Sequence, residues 1–265
     1  MVCYQTFKGY GMDLGLNGRR ALITGGSRGI GRAIASVLAE EGCSLALCAR
    51  NEGPLYEASD ALVDKGVTVY AEKVDVTDPD AIRRFIAASA DALGGLDVVV
   101  SNASAGSLKG DDSWVDSARG DLQAFAILAE AAKPHLLESG QGAVIAISST
   151  SALDADVPSG PNSFGAVKAA VLHHASALAR AWAPEGIRVN TVSPGPIEFE
   201  GGAWDQVRKG RPEVYEHVLG KLPLGRYGDP VDVANAVAFL ASPRASFSTG
   251  VNFVVDGGLL SRVQG

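Results

Sequence analysis

Short apolar runs punctuate the chain, and between them apolar residues recur at the three-to-four-residue spacing of helices. The runs are Ala21-Leu22-Ile23, then 44–49 (SLALCA), 67–71 (VTVYA), 96–102 (LDVVVSN), 143–147 (AVIAI), 187–192 (IRVNTV) and 252–255 (NFVV). The stretch at 98–100 is wholly apolar, the pattern of a strand covered on both faces. Helical patterns occupy the stretch after 29 (Ala33, Ile34, Val37, Leu38) and the stretches 54–65, 79–93, 114–137, 162–184 and 230–241. Asp78 or Thr77 is placed to cap the helix at 79. A loop at 103–112 is rich in glycine and serine, and another at 150–161 holds Pro158 and Pro161, which exclude a regular helix interior. The turn Ser193-Pro194-Gly195-Pro196 opens a mobile-looking segment, 196–222, placed to act as a flap. Strand and helix alternate to the end, without internal repeat or linker. The pattern predicts a single α/β domain over 12–265, a Rossmann-like doubly wound parallel sheet of about seven strands with helices on both faces.

The first strand runs into Thr24-Gly25-Gly26-Ser27-Arg28-Gly29-Ile30-Gly31. A glycine turn between a buried strand and a helix start aims backbone N–H groups at one point. The helix dipole adds positive potential there, and the missing Cβ atoms allow a pyrophosphate to come close. In a doubly wound sheet, ligands sit outside the carboxyl ends of the strands. Arg50, Asp75, Asn102, Ser149 and Pro194-Gly195 all fall at such ends.

The bulk numbers narrow the field. Of 265 residues, 46% are hydrophobic and 20% charged, the balance of a soluble globular chain. A net charge of −7 argues against a general nucleic-acid binder, and no apolar run approaches a membrane span. Cys3, Cys43 and Cys48 form no metal or disulfide pattern; a reducing cytoplasm is the simplest compartment. Residues 1–11 lack the pattern of a signal peptide, and Met12 is a plausible alternative start, which makes them a disordered leader.

Several stretches together carry a resemblance: the glycine turn at 24–31, Asn102-Ala103-Ser104, Ile147-Ser148-Ser149, Val189 through Gly195, and Thr249-Gly250 through Asp256-Gly257-Gly258. In this order they resemble the classical short-chain dehydrogenase/reductase family, in particular members like the 3-oxoacyl-carrier-protein reductases, over about 16–260. The resemblance implies a nicotinamide cofactor and a ketone or secondary-alcohol substrate. It implies that Gly25, Ser27, Gly29, Ile30 and Gly31 border the phosphates. Asp75 and Val76 then meet the adenine, Asn102 and Ala103 the inner ribose, and Pro194, Gly195 and Ile197 the carboxamide. Cofactor choice follows from charge. Ala49 stands where an acid would accept the ribose 2′-OH, and Arg28 and Arg50 suit a 2′-phosphate, so NADP(H) is expected over NAD(H). The resemblance also implies a homotetramer or homodimer built through the alanine-rich helices 114–137 and 162–184 and the last strand.

One position breaks the pattern. The family's chemistry needs tyrosine and lysine one helical turn apart; Lys168 fits the lysine, but position 164 is phenylalanine. Phe164 keeps the ring and has no proton to give, which lowers the rate by roughly 10²–10⁴. It is either a substituted tyrosine or native. Tyr215 is a candidate replacement donor from the flap. Asp121 stands where the family often has an asparagine, and an aspartate there can hold a water or anchor Lys168 directly. Ser149 is expected to orient the substrate oxygen, with Ser151 as runner-up. Ser104, Ser149, Ser151, Phe199 and Trp204 are candidate substrate contacts. Two readings stand at this point: an NADP(H)-dependent oxidoreductase impaired at position 164, or a cofactor-binding non-redox protein (a sensor, or a dehydratase- or cyclase-like enzyme). No metal site is expected.

Overall fold

The structure is a computed structural model and describes residues 13–156 and 161–261; the expected leader at 1–11 lies outside them. The strands are β1 (Arg20–Thr24), β2 (Ser44–Ala49), β3 (Val69–Lys73), β4 (Val98–Ser101), β5 (Ala143–Ile147), β6 (Arg188–Pro194) and β7 (Asn252–Val255). They form one sheet in the order β3-β2-β1-β4-β5-β6-β7, every neighbouring pair parallel. The helices are α1 (Gly29–Glu40), α2 (Glu52–Val63), α3 (Pro79–Leu93), α4 (Ser113–Ser117), α5 (Ala124–Ser139), α6 (Ser163–Trp182), α7 (Ala203–Gly210), α8 (Pro212–Leu219) and α9 (Pro230–Ala241).

The period of two along each strand divides the core. Ala21, Ile23, Leu45, Leu47, Val98, Val100 and Ile145 face one side, against α1, α2 and α9. Leu22, Ala46, Cys48, Val99 and Val144 face the other, against α3, α5 and α6. Each face is dry, so the strands carry apolar residues on both. Cys43 and Cys48 are free thiols within this packing, and burial pushes both up to about 12, which makes them inert hydrophobes.

Local chemistry sets several boundaries as expected. Asp78 accepts from the Asp80 and Ala81 amides at the start of α3, ahead of Pro79. Asp229 and Asp232 form a reciprocal cap on α9. Several other ends move by one or two residues, among them α2 (expected 54–65), β4 (expected 96–102) and β6 (expected 187–192), and three differences have a clear physical reason. The third strand starts two residues later than predicted, because Val69, not Val67, pairs with Leu45. The helix predicted at 114–137 is α4 and α5 joined by a wide π-helical turn, Ala118–Gln123. The segment 196–222, expected as a flap, contains two helices, α7 and α8, around a small core of Val218, Leu222 and Tyr227, with Trp204 and Tyr215 packed on it.

At the amino ends of the strands, Asp97 is 4% exposed and holds Arg20 through its backbone amide (2.9 Å), Nε (2.8 Å) and Nη2 (2.8 Å). Ser139 Oγ donates to it as well, at 2.6 Å. Burial pushes the Asp97 carboxyl up, but these hydrogen bonds outweigh it and leave the group below its ordinary value. A depressed carboxyl stabilises the fold above its unfolded-state pKa and loses that contribution as pH falls through the folded one. Asp97→Ala should therefore cost about 2–3 kcal/mol at pH 7 by stranding the Arg20 charge. The gap from the parent should narrow below about pH 4; denaturant titrations at pH 7 and pH 3 check both.

Candidate active site

The glycine turn is built by close approach. Gly25 and Gly29 have φ of +71° and +52°, a region that other residues rarely enter. The Gly25 and Gly26 amides donate to Cys48 O at 2.8 and 3.1 Å, which ties the turn to β2. A Cβ on Gly31 would overlap both the Gly25 carbonyl oxygen and Asn102 Nδ2, so only glycine lets α1 start this near β1 and β4. Arg28 gives α1 no side-chain cap, and its first turn holds no acidic residue. The first-turn amides at the positive end of the helix thus have no side-chain partner of their own.

Asn102 and Ala103 do reach this turn, in a role that the sequence did not suggest. Asn102 Nδ2 donates to Thr24 O (2.9 Å) and Gly25 O (3.2 Å). The Asn102 and Ala103 amides donate to Thr24 Oγ1 at 3.0 and 3.1 Å. The asparagine amide is therefore a brace between the ends of β1 and β4. Thr24 is a site residue missed by sequence reasoning; a hydroxyl directly before the glycines was the available signal.

Across the crevice, α6 carries Phe164 and Lys168 one turn apart. Lys168 is 4% exposed, and its Nζ donates to Ile147 O at 2.9 Å, at the end of β5. The same Nζ lies 2.8 Å from Asp121 Oδ1, off hydrogen-bond geometry, so that contact is an ion pair. Asp121 sits buried in the π-helical turn, and its Oδ2 accepts from the Ala105 amide at 3.1 Å. The centre of the Phe164 ring is 5.8 Å from Lys168 Nζ, within cation–π range. Ser148 Oγ donates to the Lys168 carbonyl (3.0 Å), and Ser117 and Ser163 share a buried hydroxyl contact at 2.8 Å.

Ser149 is half-buried at the end of β5, and its hydroxyl accepts from the Ser151 amide at 3.1 Å. Ser151 packs its carbonyl 2.7 Å from where a Cβ on Gly165 would stand, so the loop rests on α6 beside Phe164. Ser104 is exposed, and its hydroxyl accepts from Gly106 within its own loop. Asp75 makes a tight turn with Thr77, accepting from its amide (2.9 Å) and hydroxyl (2.8 Å). These bonds, with the nearby Arg50 charge, hold its carboxyl below its ordinary value despite partial burial. Val76 is half-buried beside it, and Arg50 is exposed at the end of β2. Pro194 and Gly195 close β6, where Gly195 donates to Val255 O at 2.8 Å, and Ile197 is buried against Gly228.

Three flap residues lie elsewhere than expected. Phe199 seats its ring on the glycine turn: a Cβ on Gly29 would be 2.5 Å from Phe199 Cζ. Trp204 packs in the flap core, its ring 5.1 Å from Tyr227. Tyr215 stacks on Tyr227 at 4.2 Å and gives its hydroxyl to Glu198 Oε2 at 2.6 Å. Burial and that bond push Tyr215 up to about 12, a poor proton donor already committed to a carboxylate. The flap is clamped by charges that sequence reasoning missed. Asp205, 2% exposed, takes Arg208 (2.8 Å), Lys209 (2.7 Å) and the Gly201 amide (3.0 Å), and Arg208 reaches Glu198 at 2.8 Å.

Comparison with known proteins places the fold in a family. A family model described as enoyl-(acyl carrier protein) reductase matches residues 25–260. The chain belongs to the short-chain dehydrogenase/reductase family. It is 39% identical to the isoepoxydon dehydrogenase of Penicillium expansum over 252 residues, 94% of this chain and 97% of that one. The structure of L-sorbose reductase from Gluconobacter frateurii complexed with NADPH and L-sorbose superposes with a TM-score of 0.85 at 31% identity, covering 95% of this chain and all of the other. A 7α-hydroxysteroid dehydrogenase complexed with NADH and 7-oxo glycochenodeoxycholic acid gives 0.87 at 28% identity, covering 97% and 100%. Among the described residues, no group of three or more metal-ligating side chains occurs and no helix is long and apolar enough to cross a membrane.

Because α1 depends on a bare backbone at position 31, Gly31→Ala should destabilise the fold by about 1–3 kcal/mol of overpacking strain. Urea denaturation reads it directly; an unchanged midpoint would contradict the close approach.

Proposed function

We propose that the protein is an NADP(H)-dependent oxidoreductase acting on a ketone or secondary alcohol, with proton transfer impaired at position 164. The observation that carries this reading is the buried Lys168 beneath the Phe164 ring, at the same sheet edge as an uncapped glycine turn. Bound NADP(H) would supply or accept the hydride. The residues present fit such a group. The first-turn amides of α1, with Gly25, Ser27, Gly29, Ile30 and Gly31, would take the diphosphate. Asn102 and Ala103 would border the inner ribose from a turn that they also brace. Asp75 and Val76 would border the adenine, and Pro194, Gly195 and Ile197 the carboxamide. Arg28 and Arg50 are exposed at the two places that can reach a 2′-phosphate, and no acid stands at Ala49, which favours NADP(H) over NAD(H). One residue opposes binding as the structure stands. The Phe199 ring on Gly29 must swing away with the flap, which Arg28 also touches through Gly201 O at 3.4 Å.

At the reacting end, Ser149 orients the substrate oxygen and Ser151 lies beside it. Lys168 lies under the ring of Phe164, which presents no hydroxyl to that oxygen. The assembly in this reading is a homotetramer or homodimer through α5, α6 and β7, whose edge exposes Phe253, and the free buried thiols suit the cytoplasm.

The test measures NADPH binding and NADPH oxidation over a panel of ketones, for the parent and Phe164→Tyr. Ketone reduction should rise by roughly 10²–10⁴ when the proton donor is restored. Binding without oxidation in both proteins would overturn the redox reading in favour of a non-redox member, and no binding would overturn the cofactor assignment. Independently, Phe199→Ala should tighten NADPH binding about fivefold, the equivalent of about 1 kcal/mol of ring contact no longer displaced; fluorescence titration reads it.

A further inference from the structure

A lysine ammonium removed from water needs an anion or it gives up its proton. Lys168 is such a group, and its surroundings can be named element by element. From β5 comes the Ile147 carbonyl, from its own helix the Phe164 ring, and from the π-helical turn the Asp121 carboxylate. The neighbouring hydroxyls are neutral and engaged. Ser148 bonds the Lys168 carbonyl, Ser149 accepts from the Ser151 amide, and Ser117 is paired with Ser163. Asp116 and Arg119, on the same stretch as Asp121, are exposed to solvent, and Glu198 on the flap is held by Arg208 and Tyr215. Among the described residues neither Lys168 nor Asp121 makes an ion pair with any other side chain. The pair is thus a closed, neutral unit, with Asp121 held from behind by the Ala105 amide.

A phenol at position 164 could balance the lysine by ionising; a phenyl ring cannot. We infer that Asp121 is the permanent counter-anion of Lys168, a positioning residue made necessary by Phe164, and that it controls the acidity of any hydroxyl placed at 164. While Asp121 is ionised, Lys168 has no uncompensated charge to lend. A phenol there stays protonated at neutral pH, able to give a proton to a nascent alkoxide but not to take one from an alcohol. With Asp121 neutralised, the lysine draws the phenol into its ionised form. The inference rests on position 164 and Lys168 being the proton-handling pair of the proposed reading, yet its test needs neither cofactor nor turnover, so either can fail without the other.

The experiment compares four full-length chains: the parent, Asp121→Asn, Phe164→Tyr and the double variant. Ultraviolet difference titration against the matching phenylalanine chain isolates the added phenol from the six native tyrosines. In Phe164→Tyr the phenol should titrate at or above the ordinary tyrosine value of about 10. In the double variant it should titrate about two pH units lower, as expected for a phenolate beside an unpaired cation. Equal titration in the two proteins overturns the inference. Thermal melts supply the second readout. Asp121→Asn should lower the melting temperature of the parent, and adding Lys168→Met, which removes the orphaned charge, should recover most of the loss. If Lys168→Met recovers nothing, Asp121 serves only the Ala105 amide and the counter-anion role is overturned. The same comparison decides the matter if Asp121→Asn alone does not fold.

Discussion

The junction between the carboxyl ends of β1 and β4 is the constraint on which the rest of the molecule depends. The sheet order reverses there: β2 and β3 lie to one side of β1, and β4 to β7 to the other. Chains leaving the two central strands diverge to opposite faces and open a crevice. Nothing in that topology closes the gap, so side chains must. Thr24 and Asn102 exchange bonds across it, and the absent side chains of Gly25 and Gly31 let the backbone of α1 settle beside them. The same contacts that hold the sheet together at its switch point leave the helix N-terminus uncapped. Stability and an anion-binding potential thus come from one arrangement.

On the opposite wall the controlling quantity is charge. Lys168 on α6 is buried where α6 packs closely, through Gly165, on Ser151 in the loop after β5. Burial makes its charge costly, and Asp121 in the π-helical turn lies 2.8 Å from it. That turn interrupts an otherwise regular helix between α4 and α5. It places a carboxylate beside a buried ammonium that would otherwise lack an ionic partner.

The flap obeys a third principle. Its helices are short, with little apolar surface, and α7 and α8 are eight residues each. They hold together through stacked aromatics and a buried aspartate collecting two cations. At its root, Phe199 meets the glycine turn.

How much of this was legible in the sequence follows from how local each feature is. Strands β2, β5 and β7 and helices α3 and α9 were readable to the residue, because apolar runs, Asp-Pro starts and caps act within a few positions. The placement of the glycine turn and of Lys168 one turn from position 164 was readable too, since each lies within one strand–turn–helix unit or one helical turn. The edge strand β3 slipped because its half-exposed residues leave the register to its partner. What the sequence determined by itself was therefore the layered sheet, the glycine turn between β1 and α1 and the absence of a hydroxyl at position 164. Only the tertiary structure decided that the Asn102 amide braces the turn, that Asp121 faces Lys168 and not solvent, that Phe199 rests on Gly29, and that Tyr215 belongs to Glu198. Each of these is a contact between residues far apart in the chain, settled by which surfaces the packed sheet brings together and by the cost of leaving a buried charge or amide without a partner.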